Sequence, residues 1–234
     1  MGAKAKPQMK NARARVLLVD DHPIVRQGLA QLVNHERDLV VCGEAGDAAA
    51  ALAAVEALRP DVVIVDISLK GHDGIELIKQ IRIRWPTLPT VALSMYDESL
   101  YAERVLQAGG HGYVMKQEAT ENVIAAIRRV LAGEVYLSPT MQTRILRRAV
   151  AGKIERTPIE TLSDRELQVL RLIGGGRGTR DIAETLQLSI KTIESYREHI
   201  KRKLSLQRAT DLVRYAVHWA TGSAGAESSS QPKA

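Results

Sequence analysis

VVIVD, residues 62–66, is a short apolar run that ends in a carboxylate. Four β-branched residues in a row favour a strand. Apolar character at every position, without alternation, belongs to a strand buried on both faces, as in a parallel sheet. Three further runs end in the same manner: VLLVDD at 16–21, VALS at 91–94 and YVMK at 113–116. Ligands of an open α/β sheet bind outside the carboxyl ends of its strands. Asp20, Asp21, Asp66, Ser94 and Lys116 are therefore expected to meet in one crevice. Three acids, a hydroxyl and a cation are suited to holding a divalent metal and accepting a phosphoryl group.

Outward from this run, strands are expected at 15–20, 39–44, 61–66, 90–94 and 112–115. Helical patterns lie between them, one with Pro23 in its first turn, one capped by Asp47, one running from Asp73 to Trp85, and two at 98–108 and 121–132, the last opened by Thr120. This predicts an α/β doubly wound, parallel, five-stranded domain of flavodoxin-like order over 15–132. Strands 1 and 3 would flank the topological switch point, where Asp20, Asp21 and Asp66 sit. Carboxylates so close repel one another, and a bound cation keeps them ionised. All-oxygen ligation beside a phosphate favours Mg²⁺. Asp61 and Asp73 read instead as turn or cap residues.

The formal charge of +6 is unevenly distributed. Residues 16–132 carry 11 basic and 16 acidic side chains, a net −5, whereas residues 161–220 carry 11 and 7, a net +4. The first 15 residues add five positive charges and no negative one. An acidic half joined to a basic half suggests two domains with different partners, the basic one facing a polyanion. The expected order is a disordered basic arm (1–14), the α/β domain, a linker (133–160), a small all-α domain (161–220) and a disordered tail (221–234). Within the linker, a helix is expected after Ser138-Pro139 and an extended path over KIERTPIE (153–160). A lone cysteine, Cys42, excludes an intramolecular disulfide and reads as a small buried hydrophobe. The histidines lack paired ligand spacing, which argues against zinc. Neither a signal peptide nor a membrane span is apparent. A soluble cytoplasmic protein is expected.

VLLVDDHPIVRQGL (16–29), PDVVIVDISLKGHDGIEL (60–77), VALSMYDE (91–98) and AGGHGYVMK (108–116) together resemble the receiver domain of a bacterial response regulator. The resemblance implies that Asp66 accepts a phosphoryl group from a phosphohistidine on a sensor histidine kinase. It implies Mg²⁺ held by Asp21 directly, Asp20 through water, Asp66 itself and the backbone carbonyl of Ser68. It also implies that Lys116 and Ser94 hold the phosphoryl oxygens and that Tyr113 swings inward behind them. Receivers of this kind usually carry proline where Lys70 stands. The lysine is expected to loosen that loop and to alter phosphorylation or dephosphorylation rates.

From Thr161 the β-branched runs cease and four helical patterns follow. The first opens on Ser163 and Glu166 at capping-box spacing. Gly174-Gly175-Gly176 follows a helix and lacks the Gly-Lys-Ser/Thr ending of a P-loop, so it reads as a flexible turn. Over residues 190–204, Ile193, Tyr196, Ile200 and Leu204 form one apolar stripe at helical period. The segment resembles the helix-turn-helix output domain of NarL/FixJ-type, LuxR-like regulators. Its third helix would then enter the major groove of promoter DNA. Lys191, Thr192, Glu194, Ser195 and Glu198 are the candidates to meet base edges. Arg197, Lys201, Arg202 and Lys203 are the candidates for phosphate contacts. The last helix would pair two output domains in an active homodimer, with RNA polymerase as a further candidate contact. The chain thus reads as a two-component response regulator, a DNA-binding phosphoprotein and not an enzyme. Two other readings are a LuxR-type factor independent of phosphorylation and an aspartyl-phosphate phosphatase or phosphotransferase. Haloacid-dehalogenase enzymes need a second aspartate two residues after the nucleophile, where this chain has Ser68.

Overall fold

In a computed structural model of the chain, residues 13–69, 73–151 and 157–225 are described. Lys70 and its loop lie outside them, as do residues 1–12 of the amino-terminal arm. Strands β1 (Ala14–Val19), β2 (Leu39–Ala45), β3 (Val62–Asp66), β4 (Thr90–Ser94) and β5 (Gly112–Met115) form one parallel sheet in the order β2-β1-β3-β4-β5. The order reverses between β1 and β3, which places Asp20 and Asp66 at adjacent strand ends.

Helices α1 (Pro23–His35), α2 (Ala48–Leu58), α3 (Gly74–Arg84), α4 (Glu98–Gln107) and α5 (Ala119–Leu131) cover the two faces. Val16, Leu18, Ile64, Val91, Leu93 and Val114 point into a core shared with Leu29 and Val33 of α1 and Val123 and Ile127 of α5. The alternate residues Leu17, Val19, Val63, Val65, Ala92 and Tyr113 face α2, α3 and α4. Both sets are buried, which is why these strands read as unbroken apolar runs. Asp47 caps α2 by accepting from the Ala50 amide at 2.8 Å. Thr120 does not open α5: a 3-10 turn at Lys116–Glu118 leads into the helix, and Thr120 lies inside it. Beyond α5, Tyr136 bridges to Gly112 alongside β5 and covers that edge of the sheet.

The expected linker helix is α6 (Pro139–Ala151), anchored to α4 by Arg148, whose guanidinium lies 2.7 Å from Glu103. The end of the stretch expected to be extended, residues 158–160, is not. Pro158–Thr161 is a 3-10 turn closed by a capping box, with the Thr157 amide donating to Glu160 at 2.9 Å. Proline presets the dihedral of a first helical turn, and the carboxylate two residues later reaches back over it. Residues 152–156 lie outside the described residues.

The carboxyl-terminal half comprises α7 (Asp164–Gly174), α8 (Thr179–Leu186), α9 (Ile190–Lys203) and α10 (Ala209–Gly225). Helix α10 runs through residues 221–225, which composition had placed in the tail; residues 226–234 lie outside the described residues. The Ser163–Glu166 capping box is formed. The glycine run is not simply a flexible turn. A Cβ at Gly174 would strike the carbonyl of Ala216, so glycine lets α7 and α10 approach closely, and Gly176 has φ +77°. Leu167, Leu170, Ile173, Ile182, Ile193, Ile200, Leu212 and Ala216 fill the core between these helices. That core is continuous with the apolar layer under α2–α4.

Candidate functional site

The carboxyl ends of β1, β3 and β5 bring three predicted residues into direct contact. Lys116 Nζ lies 2.7 Å from Asp20 Oδ2 and 2.7 Å from Asp66 Oδ2. Asp66 is 0% and Asp20 1% exposed, and the lysine side chain only 8%. The remaining carboxylate oxygens accept from the chain itself: Asp66 Oδ1 from the Ser68 amide and Asp20 Oδ1 from the His22 amide, both at 2.8 Å. Burial raises the pKa of Asp66 against the pull of Lys116. Burial also opposes the lysine charge, but Asp66 and Asp20 together outweigh it and hold Lys116 above its usual range.

Asp21 completes the group. Donor atoms of Asp20, Asp21, His22 and Asp66 lie within 4.8 Å of one another. Asp21 Oδ1 and Ser68 Oγ are buried atoms with no hydrogen-bond partner, although His22 Nδ1 approaches Asp21 Oδ1 to 3.0 Å. An orphaned carboxylate oxygen beside two more carboxylates fits a hard divalent cation with oxygen ligands. α3 begins against this site because residue 74 is glycine: any Cβ there would collide with the Asp66 carbonyl.

Ser94, fully buried at the end of β4, accepts from the Tyr96 amide at 2.9 Å. Tyr113 is already turned inward, 2% exposed, with its Oη donating to the Tyr96 carbonyl at 2.7 Å. Its burial raises the phenol pKa. Tyr96 went unnoticed in the sequence. Besides holding Ser94 and Tyr113, its ring receives the guanidinium of Arg171 from α7, 3.6 Å from the centroid. The only signal for it was its place two residues beyond Ser94.

Asp73 is the cap that its context suggested: it accepts from the Ile75 amide at 2.9 Å. Its surroundings are unusual, because α7 places Asp164 nearby. Burial, then the charge of Asp164, pushes the Asp73 pKa up to about 6 from 3.8. A carboxyl with a raised folded-state pKa contributes stability that is complete below about pH 4 and is lost as pH rises through 6. Asp73→Asn keeps the capping oxygen and removes the charge. The variant should therefore be more stable at pH 7.5, on the order of 1–3 kcal/mol, with the gain vanishing towards pH 4. Denaturant unfolding across that range checks this, and a gain independent of pH would refute it.

In the second half, Lys191, Glu194, Ser195, Glu198 and Arg202 are exposed along α9. Thr192 is half-buried and engaged at the helix start, its Oγ1 2.7 Å from Ser189 Oγ. Arg197 is half-buried, and Lys201, its side chain 16% exposed, pairs with Glu198 at 2.9 Å. Lys203 is committed to the fold: its Nζ lies 2.6 Å from the buried Glu166. The opposite net charges of the two halves would favour the receiver covering this basic helix. The receiver does not cover it, because ion pairs join the halves through α7 instead.

Residues 16–128 match the response regulator receiver domain family, and residues 160–216 match the bacterial regulatory proteins of the luxR family. The chain belongs to the two-component response regulators of NarL/FixJ type and acts as a transcription factor. Among curated proteins it is 35% identical over 209 residues to the oxygen regulatory protein NreC of Staphylococcus carnosus (strain TM300), covering 87% of this chain and 96% of that one. Among solved structures it is similar to the RcsB response regulator of Salmonella typhimurium, with 30% identity, TM-score 0.64 and 88% and 97% of the two chains covered. It is also similar to RcsB of Salmonella enterica serovar Typhimurium bound to promoter rprA in the presence of the phosphomimetic BeF3-, with 31% identity, TM-score 0.61 and 88% and 99% covered. Among the described residues, no helix is long and apolar enough to cross a membrane.

Proposed function

We propose that this regulator accepts a phosphoryl group on Asp66 from a sensor histidine kinase and, so modified, pairs on promoter DNA in the cytoplasm. The observation that carries the reading is the convergence of Asp20, Asp21, Asp66, Ser94 and Lys116 on one crevice in a chain that also carries a helix-turn-helix. An Asp66 oxygen attacks phosphorus, the P–N bond of the phosphohistidine breaks, and the departing imidazole nitrogen takes up a proton. Lys116 would neutralise phosphoryl oxygens and Ser94 would donate to one. Asp20, Asp21, Asp66 and the carbonyl of Ser68 would hold Mg²⁺, which when bound neutralises charge on the transferring group. The chain is the acceptor in this transfer, not an enzyme with a turnover of its own. Ser68, where a phosphatase of the haloacid-dehalogenase type needs its second aspartate, supports that distinction.

Because the recognition face is open in this structure, phosphorylation acts through pairing rather than unmasking. Val213 and Val217 on α10, each 41% exposed, supply an apolar face for a second output domain. A pair would read inverted half-sites one helical turn apart, with RNA polymerase as a further contact at the promoter.

Lys191, Glu194, Ser195 and Glu198 are assigned to base edges, Thr192 to the rim of that surface, and Arg197, Lys201 and Arg202 to phosphates. Arg202→Ala should weaken specific and random DNA alike and lower the salt slope by about one. Glu194→Gln should change the preferred base at one position by about 1–3 kcal/mol, since a carboxylate accepts from cytosine N4. Binding to a randomised-site library across a salt series measures both. Uniform loss of affinity in both variants would overturn the assignment.

A further inference from the structure

The two halves meet over the phosphoacceptor crevice. A cavity of about 340 Å³ is lined by Asp21, Ser68 and Tyr96 on one side and by Gln168, Leu172 and Leu186 of α7 and α8 on the other. Beside the shared apolar layer, polar contacts among the described residues join the halves. Arg171 sits on the Tyr96 ring, Arg104 of α4 lies 2.9 Å from Asp164, and Lys79 of α3 lies 3.6 Å from the same carboxylate. Meanwhile Lys191, Glu194, Ser195, Glu198 and Arg202 remain in solvent. Docking of the halves thus sets α7 and α8 across from Asp21 and Ser68, which flank Asp66 in the site, while the DNA-reading face stays open.

We propose that the output domain is a lid on the Asp66 crevice, admitting small phosphodonors and excluding a phosphohistidine-bearing protein until the halves part. This rests on Asp66 being the phosphoacceptor. The chemistry is the same with either donor: phosphorus passes from nitrogen to an Asp66 oxygen, and the leaving nitrogen is protonated. Only the size of what carries the nitrogen differs. Phosphoramidate is small enough for the cavity. A histidine side chain is short, so its backbone must come to the rim, where α7 and α8 stand. The donor protein and the output domain therefore compete for one surface of the receiver.

The test is labelling of the full-length chain in Mg²⁺ with two donors, phosphoramidate and a phosphorylated histidine-phosphotransfer domain. Arg171→Ala removes the cation–π contact and should speed labelling by the protein donor about three- to thirtyfold, while changing the phosphoramidate rate less than twofold. Its affinity for DNA without phosphorylation should stay within twofold of wild type, which also reports that the output domain is folded. Arg104→Glu should open the lid from the receiver side, and adding Asp164→Arg should restore part of the discrimination. No gain with the protein donor, or an equal gain with both donors, overturns the lid. Failure of phosphoramidate to label wild-type Asp66 overturns the phosphoacceptor reading itself.

Discussion

Asp66→Asn takes up no phosphoryl group from phosphoramidate in Mg²⁺, whereas the wild type gains one that hydroxylamine removes. The expected difference is complete loss, because an amide offers no nucleophilic oxygen while the rest of the crevice stays in place. Asn keeps the shape of the side chain and can still accept from the Ser68 amide, which lies 2.8 Å from Asp66 in the wild type. Loss of labelling with a retained fold would therefore isolate the nucleophile. Equal labelling of the variant, read by intact-mass measurement, would move the acceptor to another residue.

Lys116→Ala should show three effects: lower stability, tighter Mg²⁺ binding and slower phosphoryl uptake. Without divalent metal it leaves Asp20 and Asp66, both buried, with no counter-charge. Removing one partner from a buried ion pair costs about 3–5 kcal/mol, so the melting temperature should fall by many degrees. Mg²⁺ should recover much of that loss, because it takes over the neutralisation, and its affinity should exceed that of the wild type by on the order of tenfold, a free-energy gain of about 1.4 kcal/mol. Phosphoryl uptake should nevertheless slow by roughly a hundredfold or more, since one preorganised donor to the transferring group is gone. Calorimetric titration, melting with and without Mg²⁺, and labelling rates separate the three effects. A variant that melts like the wild type without metal would contradict the ion-pair geometry.

The receiver half was legible because its information is local. Four of the five strands, all but β2, are apolar runs ended by a candidate site residue, and the sheet order then brings Asp20, Asp66 and Lys116 together. What eluded the sequence depends on contacts across the linker. Arg171 on Tyr96 and Arg104 against Asp164 join residues whose spacing follows no period. The same holds for the raised pKa of Asp73, which needs Asp164 from the other half. Charge balance points to the basic helix as the covered face, yet α9 is open, because opposite net charges do not select which surfaces meet. Short-range detail was also missed. The turn at Pro158–Thr161 follows from Thr157 and Glu160 closing on each other. Gly174 is required by the approach of α10, and Thr192 is drawn into the cap of α9 by Ser189.

Phosphorylation at Asp66 should change how the chain holds DNA. The direct measurement is the affinity of the full-length protein for a two-half-site promoter and for one half-site, before and after phosphorylation, with Asp66→Asn as control. Phosphorylation should tighten binding to the paired site by at least tenfold and leave the single half-site nearly unchanged, with no response in Asp66→Asn. Equal affinity of the unmodified and phosphorylated chain for the paired site would contradict the account and leave a DNA-binding protein indifferent to its phosphoryl pocket.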